Sequence, residues 1–130
     1  MIVLDASFVV DVLLGDARSP ALRERLFAPS LRPSVPHLLD VEVASALRRM
    51  IRANRVDETQ ARAVLADLEF LPIARHGHAG LLPRILDLRE RLTAHDATYV
   101  ALAEALEATL WTCDSGLAQA ASTYVEVESF

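Results

Sequence analysis

The sequence predicts an α/β domain built on a mostly parallel sheet. Three observations carry that prediction. Short β-type runs alternate with longer amphipathic stretches along the chain, two of those runs stop on an aspartate, and nothing divides the 130 residues into parts. That length is one ordinary domain, with no repeat, low-complexity tract or linker. Strands alternating with helices require crossover connections, which give a parallel sheet covered by helices.

Taken in order, Ile2–Leu4 is a short strand, and Phe8–Leu14 is a brief helix ended by Gly15. Ser19-Pro20 supplies a cap and a first-turn proline for the helix ALRERLF. PSLRPSVPH is proline-broken, with room for a short strand around Ser34–Val35. Leu39, Val43, Leu47 and Met50 recur at helical spacing, which predicts a long amphipathic helix over Leu38–Arg52. Asp57-x-x-Gln60 is a capping box for a helix through Glu69. Phe70–Ile73 reads as a strand, kept short or at an edge by Pro72. Ala79–Arg91 is a helix with Leu82, Ile85, Leu86 and Leu88 on its apolar side. Thr93 caps Ala94–Glu107, whose inner face carries Val100, Ala103 and Leu106. Thr109–Cys113 is a strand, Ser115–Ala121 a short helix and Tyr124–Val127 a final strand.

Composition narrows the chemistry. Apolar residues make up 52% of the chain and charged residues 24%, a globular balance, and a domain of this size buries a proper core. No apolar run approaches the roughly 20 residues of a membrane span. The N-terminus reads without a basic leader or cleavage site, so a cytoplasmic, non-membrane protein is expected. All 13 basic residues are arginine, which excludes lysine-dependent chemistry. Cys113 is the only cysteine, so neither an internal disulfide nor a thiolate metal site can form. A net charge of −5 does not suit bulk attraction to nucleic acid, but it is compatible with an acidic site that recruits a cation.

Four acids stand in informative places. Asp5 and Asp114 each follow a strand and precede a helix, and taken alone each reads as an N-cap. Asp96, three residues after Thr93, suits a capped helix start. Glu42 has no such excuse. It borders the apolar stripe of its helix, and its neighbours at i±3 and i±4 are Leu38, Leu39, Ser45 and Ala46, none of them basic. Asp40 faces elsewhere on the helix and reads as solvated. An acid beside a buried stripe needs a partner. Two acids at strand ends and two near helix starts could converge at one end of a parallel sheet, where a shared divalent cation would let them coexist. Oxygen-only ligands suit Mg²⁺ or Mn²⁺. Asp11, mid-helix, is a secondary candidate.

The stretches IVLDASFVVDVLLG, VPHLLDVEVASALRRM, LLPRILDLRERL, LTAHDATYVALAEAL and LWTCDSGLA, in that order, resemble PIN-domain ribonucleases, and more closely the VapC toxins of VapBC toxin–antitoxin systems. They cover nearly the whole chain as a single PIN domain over residues 1–130. The resemblance implies a three-layer α/β/α fold with a mostly parallel sheet of about five strands. It places the family's acids on Asp5, Glu42, Asp96 and Asp114, with small polar neighbours on Ser7 and Thr112. It also implies Mg²⁺-dependent (Mn²⁺ as an alternative) cleavage of RNA, and inhibition by a VapB-like antitoxin. In this reading the four acids hold one Mg²⁺, directly or through water, and orient the attacking hydroxide. Ser7 and Thr112 read equally as contacts to phosphate or water and as capping residues. Some PIN domains carry a further Asp or Asn after the fourth acid. Here Ser115, Gly116 and Leu117 follow, which does not support a fully formed second metal site.

Arg48, Arg52 and Arg55 form a stripe near a helix end, read either as a solvated face complementing the dipole or as a rim contacting RNA, with Arg84 and Arg89 as weaker RNA contacts. His76-Gly-His78 reads as a surface loop, His95 as a partly exposed helix residue, and Trp111 and Cys113 as core. Tyr99 either lines the groove or packs. The helix around Ala21–Phe27 and the face of Leu38, Leu39 and Met50 are expected to form a partner interface, for a homodimer mate or an antitoxin, within a toxin–antitoxin hetero-oligomer. A catalytically inactive PIN-like binding module is the alternative function. Receiver and haloacid-dehalogenase readings fall, the first for want of a lysine and the second because Ser7 stands where a second Asp is needed.

Overall fold

The structure is a computed structural model that describes residues 1–15 and 19–130. Five strands, β1 (Ile2–Leu4), β2 (Pro33–Pro36), β3 (Ala74–His76), β4 (Thr109–Thr112) and β5 (Val127–Ser129), form one sheet in the order β3-β2-β1-β4-β5. Every pairing is parallel, with Leu4 opposite Trp111 and Val3 opposite Ser34. Seven helices complete the described chain: α1 (Ala6–Leu14), α2 (Ser19–Leu26), α3 (Leu38–Arg52), α4 (Glu58–Phe70), α5 (Leu82–Asp87), α6 (Ala94–Leu106) and α7 (Ser115–Ala121). Helices α1 to α4 pack on one another, while α5 packs on α6, which lies against β1, β2 and β4. This is the expected three-layer α/β/α arrangement.

Strand β1 is buried on both faces and accordingly reads as an unbroken apolar run, while β4 holds Leu110 and Trp111 in the core between two threonines. Val3, Leu4, Phe8, Val35, Leu39, Val43, Val100 and Leu110 are sealed in the core. Local chemistry ends the helices where the sequence predicts. Gly15 takes the left-handed conformation (φ 75°) that closes α1, and Asp57 and Gln60 form the reciprocal capping box of α4. Among the described residues, no helix is long and apolar enough to cross a membrane.

Four expectations need correction. The strand expected at Phe70–Ile73 lies at Ala74–His76, and Phe70 instead ends α4, largely exposed. Pro72 forces the preceding Leu71 into an extended conformation (ψ 132°), so it terminates the helix and leaves pairing to the residues beyond. The helix expected over Ala79–Arg91 is a 3-10 turn, Ala79–Leu81, followed by α5, because Pro83 begins a helix and cannot sit inside one. The last strand is Val127–Ser129, not Tyr124–Val127, since the Tyr124 and Val125 N–H groups are drawn to the Ala121 carbonyl at the end of α7. Asp40 is not simply solvated. It accepts a forked pair of hydrogen bonds from Arg75 on β3, at 2.9 and 3.0 Å, tying α3 to the sheet edge.

The residues expected at an interface divide between core, cleft and surface. Leu22, Leu26 and Leu39 are core, while Leu38 and Met50 are half-buried in a cleft wall. Among large apolar residues in these regions, Phe27 and Val41 are the exposed ones.

Candidate active site

Strands β1 and β4 meet where the sheet order reverses, with β2 and β3 laid to one side and β5 to the other. A crevice opens beyond the carboxyl ends of strands at such a point. Asp5, the first residue past β1, bonds through its N–H to the Trp111 carbonyl at 3.1 Å, and so stands level with the end of β4. Helices between parallel strands run back antiparallel to them, which brings the starts of α3 and α6 to the same end of the sheet.

Asp5 is the N-cap of α1: its Oδ1 accepts the Phe8 N–H at 3.1 Å and the Ser7 hydroxyl at 2.7 Å. It is also only 5% exposed. Burial pushes its carboxyl up to about 6, against the lowering effect of the bonds from Phe8, Ser7 and Thr112. The cap role is real, yet a cap does not require burial.

Ser7 and Thr112 connect the two strand ends. The Ser7 hydroxyl accepts the Cys113 N–H at 2.9 Å and lies 3.3 Å from Thr112 Oγ1, which in turn accepts the Asp114 N–H at 2.9 Å. Asp114 caps α7, with Oδ1 accepting the Gly116 and Leu117 N–H groups at 2.8 and 3.0 Å. A Cβ on residue 116 would stand 3.2 Å from that oxygen, so glycine there permits the close approach.

Glu42 lies in the second turn of α3, half-buried. Its partner comes from α6, where the buried Tyr99 hydroxyl donates to Glu42 Oε2. Burial, followed by this bond, raises the Tyr99 phenol above its ordinary range, so it stays a donor. No described residue bonds Oε1. Asp96 is half-buried in the first turn of α6, its N–H bonded to the capping Thr93 at 3.2 Å.

Asp5, Glu42, Asp96 and Asp114 all line one cleft of about 590 Å³, and Ser7, Asp11, His95 and Tyr99 share its walls. The donor set is oxygen-rich and thiol-free, as a hard cation requires. Among the described residues, no three His, Cys, Asp or Glu side chains are already drawn together at metal-holding distance. Mg²⁺ does not require three such ligands, because it keeps several waters and is commonly bound through one or two carboxylates. The buried Asp5 carboxyl, Asp114 with Oδ1 committed to its helix, and Glu42 held through Oε2 are suited to hold such an ion directly or through water.

Comparison with known proteins identifies the family. The PIN domain family profile matches residues 2–122. This chain belongs to the PIN-domain family. Ribonuclease VapC1 of Mycobacterium tuberculosis is 42% identical over 130 residues, spanning 97% of this chain and 95% of its own. Among solved structures, VapBC2 from Rickettsia felis, bound to a DNA fragment from its promoter, superposes with a TM-score of 0.73 at 15% identity, covering 99% of this chain and 98% of that one. VapC20 of M. tuberculosis, a sarcin-ricin loop cleaving toxin, gives 0.70 at 22% identity, covering 98% and 99%. At those identities the two structures speak for the PIN fold alone.

The arginines expected to contact RNA do not line this cleft. Arg84 pairs with Glu104 at 2.8 Å and lies over the Tyr124 ring. Arg48 lines a separate groove between α3 and α4, and Arg52 is exposed near the end of α3. His76 ends β3 instead of lying in a loop, with Nε2 3.1 Å from Ser34 Oγ. Trp111 is core, whereas Cys113 is only partly buried. The cleft also contains Ser45 and Arg49, which sequence reasoning passed over. A signal was present: both lie at i+3 and i+7 from Glu42, on one helix face.

Proposed function

We propose that this chain is the toxin component of a type II toxin–antitoxin system, an Mg²⁺-dependent endoribonuclease acting through its four cleft acids. One observation carries the reading: Asp5 is a buried carboxyl at the sheet's switch point, opening with Glu42, Asp96 and Asp114 onto a single cleft. The ribonuclease name of VapC1 supports RNA as substrate, and the VapBC2 complex supports a VapB-like antitoxin partner. A homodimer joined with that antitoxin in a hetero-oligomer belongs to the same proposal.

A bound divalent cation would supply charge neutralisation at the phosphate and lower the pKa of water. The protein's part is positioning. Ser7 and the Phe8 N–H fix the Asp5 carboxylate, Tyr99 fixes Glu42, and the α7 N–H groups fix Asp114. These three acids are thereby held before substrate arrives, which reduces reorganisation in the reaction. The carboxylates orient the attacking water and take up its proton, while Ser7 on the cleft wall steadies Asp5 and the buried Thr112 steadies the Asp114 backbone.

The test is cleavage of a fluorescent single-stranded RNA by the purified chain with Mg²⁺, with Mn²⁺ and with EDTA, alongside Asp5→Asn and Asp96→Asn. Cleavage should need the metal and fall to the EDTA level in both variants. Equal degradation by wild type and both variants would falsify the nuclease reading.

A further inference from the structure

Among the described residues, five carboxylates line the cleft: the four acids and Asp11. Among the described residues, Arg49 is the single guanidinium there. A cation facing so many acids would ordinarily be drawn into an ion pair. Arg49 makes none with any described residue, whereas Arg25, Arg62, Arg75 and Arg84 are all paired to carboxylates. The reason lies in the helix. Its neighbours at i±3 and i±4 are Ser45, Ala46, Arg52 and Ala53, none of which is acidic. Glu42, on the same face, is seven residues away, about 10 Å along the axis and too far for a direct contact. Between Glu42 and Arg49 that face shows only the small side chains Ser45 and Ala46, so nothing bulky separates the acidic end of the cleft from the cationic one.

We propose that Arg49 is a substrate-anchoring residue, holding a backbone phosphate of single-stranded RNA next to the one placed over the acids. The inference rests on the ribonuclease reading of the cleft and adds the polarity of the bound strand. A guanidinium suits this role because its planar fork of donors matches two phosphate oxygens. A net-acidic protein cannot gather RNA by bulk charge, so a local cation beside the acids is where a phosphate contact has most effect. Beyond Arg49, Met50 and Leu38 give the same wall apolar surface on which an unstacked base can rest.

The test separates binding from cleavage. Anisotropy titrations of a fluorescent single-stranded oligoribonucleotide are run on Asp96→Asn and on Asp96→Asn/Arg49→Ala, across a salt series. Loss of Arg49 should weaken binding roughly tenfold and reduce the slope of log K against log salt by about 0.7, the value of one single-strand phosphate contact. Arg49→Lys in the same background should keep the slope while losing part of the affinity. Arg62→Ala, which removes the same charge from an exposed position on α4, should change little. A structural role would lower the melting temperature without altering the salt slope. Unchanged affinity and slope in the Arg49→Ala variant overturn the proposal, even if wild type cleaves RNA in parallel assays. Conversely, Arg49-dependent binding without cleavage by wild type sustains the phosphate anchor and refutes the nuclease reading.

Discussion

At the residue scale, Asp5 shows how a cap becomes a site. As an N-cap it needs only an oxygen for the Phe8 N–H, which asparagine supplies equally well. What distinguishes it is a charge held at 5% exposure. Its carboxyl is raised from 3.8 to about 6, a difference of about 3 kcal/mol between its protonation states in the metal-free protein. Between those values the folded state binds more protons than the unfolded one. Stability contributed by the protonated form is therefore complete below pH 4 and lost as pH rises through 6. Asp5→Asn, neutral at every pH and still able to cap, should match wild type near pH 4. In EDTA at pH 7.5 it should be the more stable by about 2–3 kcal/mol. Urea denaturation at both pH values checks this, and a gain that does not change with pH would show that the charge is not the cause. Glu42 was legible for the opposite reason: no residue in its own helix could neutralise it. Its actual partner, Tyr99, is 57 positions away and could be found only once α6 was laid beside α3.

At the element scale, the sequence was most readable where periodicity or capping chemistry is strong. The long α3, the capping box of α4 and the Thr93 cap of α6 all stand where the pattern predicts. The misses share one physical form. Phe70–Ile73, Ala79–Arg91 and Tyr124–Val127 are apolar stretches in which a proline or a neighbouring helix end decides the hydrogen bonding, and composition does not record that competition. The arginine stripe Arg48, Arg52 and Arg55 is exposed, in keeping with the solvated-face reading, and the cleft arginine, Arg49, lies one residue off that stripe. Among the elements, α7 couples stability to the site most directly. Asp114 holds two of its first N–H groups, so Asp114→Ala should destabilise the fold by about 1 kcal/mol as well as removing a cleft acid. Asp114→Asn should remove the charge and keep most of that stability. Thermal melts of the two variants, set beside their RNA cleavage, separate the roles; equal destabilisation by both would mean that the cap oxygen contributes nothing.

At the scale of the whole molecule, the sheet order brings β1 and β4 together and turns the starts of α3 and α6 toward the same end. Acids far apart in sequence then share a cleft that the unfolded chain does not possess. A divalent cation that binds only this assembled state must stabilise it by mass action. At a free concentration 100-fold above its Kd, the gain is about 2.7 kcal/mol, which for a domain of this size raises Tm on the order of 10 °C. Melting curves with Mn²⁺ against an NaCl control of equal ionic strength should show that rise in wild type. Asp96→Asn and Asp5→Asn should lose most of it, although Asp5→Asn starts from a higher metal-free Tm. This opposition is the diagnostic result, because a general ionic effect would move all three proteins alike. A rise of the same size in every protein would mean that the acids do not bind the cation as a group, whatever their common position in the cleft.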